Sequence, residues 1–430
     1  MSLISISPRA METEVASHYF SFYQAITDSC SRKGKKHIVI NYKKKNQTSI
    51  ENENFRSILR KSYSQDFFSI PKLPTSFKQD VRKIEKVFQE ENTYKLHIYE
   101  CNIRELLLLA RIVKRNQEVR AIANFQQAAE WTTLMNDQRI ISRILKHHLI
   151  KLIIKLNHQV SFTAESEELS VIMKKNEIKN VSYPNATVLS STFIRKSNND
   201  VTFFPSNFTE WLICLNVSEK LLEFNNSLKL TVISKNSYAD QEKKYKVKLI
   251  SGFVPVDEYR QLLIDSEAVV LPYVSKFHRW GSSGKLYDAL LFNCRTHVPA
   301  DSALSTMEID DAEIVGFNIE NAEIEIYENL IKYSLKKKRN VINQNVPRVD
   351  DTVGFLFKEL EIIESSEKPT KISRIALERE FWLLSLLYSI YFSPNDAPSA
   401  VFKRKMTAHL SSLLTVMNKS KIFRLLKKYK

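Results

Sequence analysis

Short β-branched runs alternate with stretches of helical apolar spacing from His37 to Lys337. Strands that alternate with helices pair in parallel, because each return needs a crossover and the crossovers cover both sheet faces. In the first half, His37–Tyr42, Asp66–Ile70, Lys95–Tyr99, Arg120–Asn124, Gln159–Thr163 and Asn180–Tyr183 read as strands. The first unit is placed at His37–Tyr42. Ile103–Lys114 and Glu130–Asn157 read as helices. In the second, Ile140, Ile144, Leu145, Leu149, Leu152, Ile153 and Leu156 recur near a 3.6-residue period. A Ser/Asn-rich stretch interrupts the pattern at 186–200, and Pro184 closes the strand before it. Beyond it a second series begins. Its strands are 200–204, 228–233, 245–250, 268–271, 295–298 and 313–317, and its helices are 211–224, 256–266, 283–292 and 321–337.

At 430 residues, two domains are expected, since single cores rarely grow past roughly 250–300 residues. The expected organisation is an α/β chain with two Rossmann-like domains facing a cleft. Residues 1–185 form the first domain, 186–200 the linker and 201–370 the second domain. Residues 371–430 form a C-terminal helical segment, in which Ile372–Phe392 is the candidate to cross back to the first domain.

Six glycines in the whole chain argue against a glycine-rich phosphate loop as the main binding device. The net charge of +16 calls for an anionic partner. That charge is uneven: residues 401–430 hold nine Lys or Arg and no Asp or Glu, interleaved with leucines. Such a segment suits a helix lying on an anionic membrane surface. A nucleic-acid partner is not expected, because the charge does not interleave with a recognition module. Cys30, Cys101, Cys214 and Cys294 are far apart and lack zinc-ligand spacing, so buried free thiols are expected. Residues 1–16 contain no apolar signal core, and the run Phe381–Phe392 is shorter than the roughly twenty residues a bilayer span needs. A cytoplasmic protein, peripheral on the inner face of the membrane, is therefore expected.

The densest chemistry lies between Ser251 and Val298. Gly252 opens a turn before the helix 256–266; a strand ends at Leu271-Pro272-Tyr273; His278, Arg279, Gly281, Ser282, Ser283, Gly284 and Lys285 then lead into a helix carrying Asp288. A helix that opens on glycines and serines presents free backbone N–H groups and the positive end of its dipole to an anion. The same four residues, Gly281–Gly284, also read as an ordinary turn with an N-cap serine.

The runs "S-G-F-V-P-V-D-E-Y-R-Q-L-L", "S-E-A-V-V-L-P-Y" and "S-S-G-K-L-Y-D-A-L-L-F-N-C-R-T-H-V" follow one another here. Their order resembles the C-terminal domain of GT-B glycosyltransferases of the family-four (glycosyl transferases group 1) type. "V-S-F-T-A-E-S-E-E-L" with "Y-P-N-A" resembles the passage that leads into that family's interdomain linker. The resemblance implies a GT-B fold and transfer of a sugar from a nucleotide-diphosphate-sugar donor to a glycan or lipid-linked acceptor, as in cell-surface polysaccharide biosynthesis. It implies no metal and no separate cofactor. It places Asp288 at the second Glu of the family's Glu-x7-Glu pair, which holds the donor ribose; beside it, the helix start at Gly281–Gly284 would take the diphosphate, His278, Arg279 and Lys285 would supply positive charge to the leaving nucleotide, and Gly252 is a further candidate for donor binding. Trp280 stands where the first Glu belongs, so the pair is degenerate, and the stereochemistry is left open. On the acceptor side, Glu100 follows a strand end and is the candidate general base, while His97 inside that strand reads as a core residue. Two further readings share the fold: a nucleotide-sugar epimerase, and a non-catalytic interaction protein on a degenerate scaffold.

Overall fold

The computed structural model describes residues 2–10, 18–42, 52–59, 73–125, 131, 134–136, 140–187, 189, 200–234, 247–252, 254–274, 283–333 and 343–365. Two wholly parallel sheets organise them. The first has seven strands: β1 (Ser2–Ala10), β2 (Lys36–Tyr42), β3 (Phe55–Leu59), β4 (Lys95–Ile98), β5 (Arg120–Phe125), β6 (Val160–Ala164) and β7 (Val181–Ser182). Their spatial order is β3-β2-β1-β4-β5-β6-β7. Helices α1 (His18–Arg32), α2 (Leu73–Glu90), α3 (Ile103–Arg115), α4 (Ile140–Leu156) and α5 (Glu167–Lys175) lie between them in the chain.

The second sheet has six strands: β8 (Asp200–Phe203), β9 (Leu230–Ser234), β10 (Lys248–Ser251), β11 (Ser266–Val270), β12 (Arg295–Pro299) and β13 (Ile314–Phe317). They run in the order β10-β9-β8-β11-β12-β13, with helices α6 (Phe208–Phe224), α7 (Val256–Asp265), α8 (Gly284–Leu291) and α9 (Ala322–Tyr333). Strands β9, β11 and β12 are buried at every position, as strands sandwiched between helices must be. Each sheet reverses its winding once, between β1 and β4 and between β8 and β11. Crevices open at such reversals, beyond the carboxyl ends of the strands, and ligands bind there.

A last helix, α10 (Val349–Ser365), follows the second sheet in the chain yet packs on the first. Val349, Val353, Leu356, Leu360 and Ile363 recur every three or four residues and join one cluster with Leu3, Phe22, Tyr23, Tyr99 and Ile122. Each such burial contributes on the order of 2 kcal/mol. The helix is also pinned by polar contacts: Ser161 Oγ donates to Glu359 at 2.9 Å, Lys95 pairs with Glu364 at 2.8 Å, and Thr352 Oγ1 donates to the Pro184 carbonyl at 2.8 Å. Residues 349–365 fall in the range 201–370 expected for the second domain; their packing places them with the first sheet instead. The expected crossing helix at Ile372–Phe392, and the basic segment 401–430, lie outside the described residues.

The sequence reading begins the first unit at His37–Tyr42, and this is corrected: β1 precedes it and lies inside the sheet, between β2 and β4. β1 reads poorly as a core strand because Ser5 and Ser7 occupy its inward positions, yet both are fully buried. Ser5 Oγ lies 2.8 Å from His37 Nε2 and 3.1 Å from His97 Nδ1. Thr27 Oγ1 lies 2.8 Å from His37 Nδ1 and donates to the Tyr23 carbonyl at 2.8 Å; Tyr183 OH lies 3.3 Å from His97 Nε2. That terminal carbonyl sets every proton in the chain. Since Thr27 donates to it, His37 Nδ1–H donates to Thr27. His37 Nε2 then accepts from Ser5, Ser5 accepts from His97 Nδ1–H, and His97 Nε2 accepts from Tyr183. Both imidazoles are neutral, and burial lowers each pKa to about 3. His97 is thus a core residue. All four cysteines are buried free thiols.

Candidate functional site

The β8/β11 reversal brings two helix N-termini to one rim. Asn207 caps α6 by accepting from Glu210 N at 3.0 Å, and the Glu210 carboxylate reaches back to Ser206 N at 2.8 Å and Ser206 Oγ at 2.6 Å. This reciprocal cap fills the positive end of α6 with the chain's own carboxylate. Helix α8 differs. Its N-cap residue Ser283 makes no side-chain cap bond, and its Oγ lies 3.4 Å from Tyr273 OH at the end of the β11 segment. Lys285, in the first turn, holds its Nζ 4.8 Å from the centre of the Phe204 ring. A helix start without a side-chain cap among the described residues, two hydroxyls and an ammonium are groups of the kind that hold an anion.

One turn further along α8, Asp288 is nearly buried, at 5% exposure. Both of its oxygens are engaged: Thr187 Oγ1 donates to Oδ1 at 2.6 Å and Tyr259 OH donates to Oδ2 at 3.1 Å. Burial outweighs these bonds and the nearby Lys285 charge, and pushes its pKa up to about 6. The carboxylate is therefore ionised at neutral pH and accepts from both hydroxyls.

Gly252 follows β10, at the edge of the sheet and separated from β8 by β9. It adopts φ 92°, and an added Cβ would meet nothing within 4 Å, so the turn and not close approach demands glycine there. It shares the carboxyl-end rim with α8 but not its immediate surroundings. His278, Arg279, Gly281, Ser282 and Trp280 lie outside the described residues. Ser283, Gly284, Lys285 and Asp288 are brought together on α8.

On the first sheet, Glu100 follows β4 beside the β1/β4 reversal and is 1% exposed. Two buried amides share that rim. Asn124, at the end of β5, accepts from Thr163 Oγ1 at 3.0 Å, but its Nδ2 has no partner among the described residues. Asn41, near the end of β2, has none for either side-chain atom and lies opposite an irregularity in β1 between Ile6 and Ala10. The sequence reading missed Asn41, Thr187, Tyr259 and Tyr273. An asparagine closing the apolar run of β2 was the one available signal. No group of three or more His, Cys, Asp or Glu able to hold a metal occurs among the described residues. No helix among them is long and apolar enough to cross a membrane.

No protein-family model matches the sequence, and no curated protein matches it. Solved structures match in fold. A sucrose-phosphate synthase from Thermosynechococcus elongatus superposes with a TM-score of 0.53 at 9% identity, over 91% of this chain and 99% of its own. A UDP-GlcNAc 2-epimerase from Neisseria meningitidis, bound to UDP-GlcNAc, gives 0.52 at 11% identity, over 84% and 100%. A glycosyltransferase from Rickettsia africae gives 0.50 at 8% identity, over 90% and 98%. The fold is GT-B. Within it, β1–β7 with α10 form the N-terminal Rossmann-like domain and β8–β13 the C-terminal one, and α8 is the helix after the central strand of the second.

Proposed function

We propose that this GT-B protein is a nucleotide-sugar-dependent glycosyltransferase. The observation that carries the reading is the contrast at the β8/β11 crevice: α6 is closed by Glu210, while α8 opens with no side-chain cap among the described residues, beside Ser283, Tyr273 and Lys285. A diphosphate accepting from the first amides of α8, with Lys285 neutralising charge on the leaving nucleotide, fits that opening. His278, Arg279, Gly281 and Ser282 precede α8 directly in the chain and belong to the same proposal, with Gly252 shaping the rim. Across the cleft, Glu100 is assigned as the base that takes the proton of an acceptor hydroxyl. The acceptor is a glycan or lipid-linked saccharide, and the basic segment 401–430 brings the protein to an anionic membrane where such lipids reside. No metal or separate cofactor takes part in this reading.

The epimerase reading is kept as the second because the Neisseria protein of this fold is a UDP-GlcNAc 2-epimerase bound to UDP-GlcNAc. Incubation with UDP- and GDP-sugars, with and without a membrane lipid extract, separates the two. Transfer predicts release of nucleoside diphosphate that rises with added extract. A C2-epimerised donor, formed equally without extract, would replace transfer by epimerisation. No turnover of any donor in either condition would contradict both.

A further inference from the structure

Thr187 sits in the segment that carries the chain from the first domain to the second, and Arg348 in the segment that brings it back. The two crossings lie side by side: Thr187 pairs with Arg348 in an isolated parallel bridge, and Thr187 N donates to the Pro347 carbonyl at 3.1 Å. The Thr187 hydroxyl accepts from Leu189 N at 3.1 Å and donates to Asp288 on α8 at 2.6 Å. Tyr259 on α7 donates to the other oxygen of the same carboxylate at 3.1 Å. Thr187 is 1% exposed. One buried carboxylate thereby joins the double strap to two helices of the C-terminal domain.

We infer that Thr187, Asp288 and Tyr259 form a hinge latch that ties the interdomain strap to α8, and that Asp288 serves this latch and not the donor ribose. Each Asp288 oxygen already accepts one hydroxyl, from Thr187 and from Tyr259, within a nearly closed environment that leaves little room for a ribose. Because α8 presents its first turn to the proposed donor site, a ligand that shifts α8 moves the strap through Asp288. This coupling rests on the donor reading above, whereas the latch itself does not.

Hydrogen exchange on the full chain, followed by mass spectrometry over the return crossing 343–352 of the strap, whose amides do not bond the Thr187 hydroxyl, tests the latch without nucleotide. Thr187→Val is expected to raise exchange there about tenfold or more, the range for losing a bond to a charged group. Thr187→Ser, which keeps the hydroxyl, is expected to restore protection, and Tyr259→Phe to loosen the strap less than Thr187→Val. Wild-type exchange in Thr187→Val overturns the latch. The role of Asp288 is read separately, from the affinities of UDP and 2′-deoxy-UDP. The ratio between them is expected to be the same in wild type and Asp288→Asn. A preference for UDP that disappears in Asp288→Asn would assign the carboxylate to the ribose and overturn the inference. If wild type binds neither nucleotide, the donor reading fails, while the exchange experiment still decides the latch.

Discussion

Acidification from pH 8 to pH 5 is expected to remove about 5 kcal/mol of folding stability, most of it from the N-terminal domain. His37, His97 and His297 are fully buried, and burial lowers each pKa from 6.5 to about 3. Between those values the unfolded chain binds protons that the folded chain refuses. Their contribution is therefore complete above pH 6.5 and drains away as the pH falls toward 3. At pH 5 the loss is about 2 kcal/mol for each imidazole. Asp288 works in the opposite sense. Its folded pKa is about 6 against 3.8 for a free carboxyl, so the folded chain takes up its proton first and regains about 1 kcal/mol by pH 5. Two of the histidines lie in the first sheet, and the third lies in the second sheet with Asp288 in the same domain. Urea titrations at the two pH values are expected to show about 4 kcal/mol lost from the N-terminal transition and about 1 from the C-terminal one. Equal midpoints at pH 8 and pH 5 would contradict the buried neutral chain from Tyr183 to Thr27.

Glu100→Gln is expected to lower transfer to acceptor by about a hundredfold or more while leaving nucleotide affinity unchanged, the signature of a lost general base. The substitution keeps size and shape and removes the charge and the ability to take a proton. Glu100 is 1% exposed at the end of β4, next to the β1/β4 reversal, so the acceptor hydroxyl has to reach it through the carboxyl-end crevice of the first sheet. Steady-state rates at saturating donor, with circular dichroism to confirm folding, measure this directly. An unchanged kcat would remove Glu100 from the reaction, and a changed donor affinity would move its role to the other domain's substrate.

The doubly wound architecture was legible because parallel strands buried on both faces read as apolar, β-branched runs, as in Thr231-Val232-Ile233 of β9 and Ala268-Val269-Val270 of β11. β1 was not, because Ser5 and Ser7 look like surface residues, and only the fold brings His37 and His97 from the neighbouring strands to Ser5. Helix α10 carries a clear apolar stripe, but no local signal says which sheet it covers. At the site, the opening of α8 could be read from Ser283 and Gly284 alone. The engagement of Asp288 could not, since its partner Thr187 is 101 residues away. The self-capping of α6 by Glu210, in contrast, is written locally in Ser206, Asn207 and Glu210.

Calorimetric titration of UDP and GDP into wild type and Lys285→Ala tests the central claim most directly. Saturable binding of one of them to wild type, weakened about tenfold or more by the loss of the ammonium, is the predicted result. A folded wild-type protein that binds neither nucleotide, or that binds one equally well without Lys285, would contradict the assignment of α8 as the donor-binding helix.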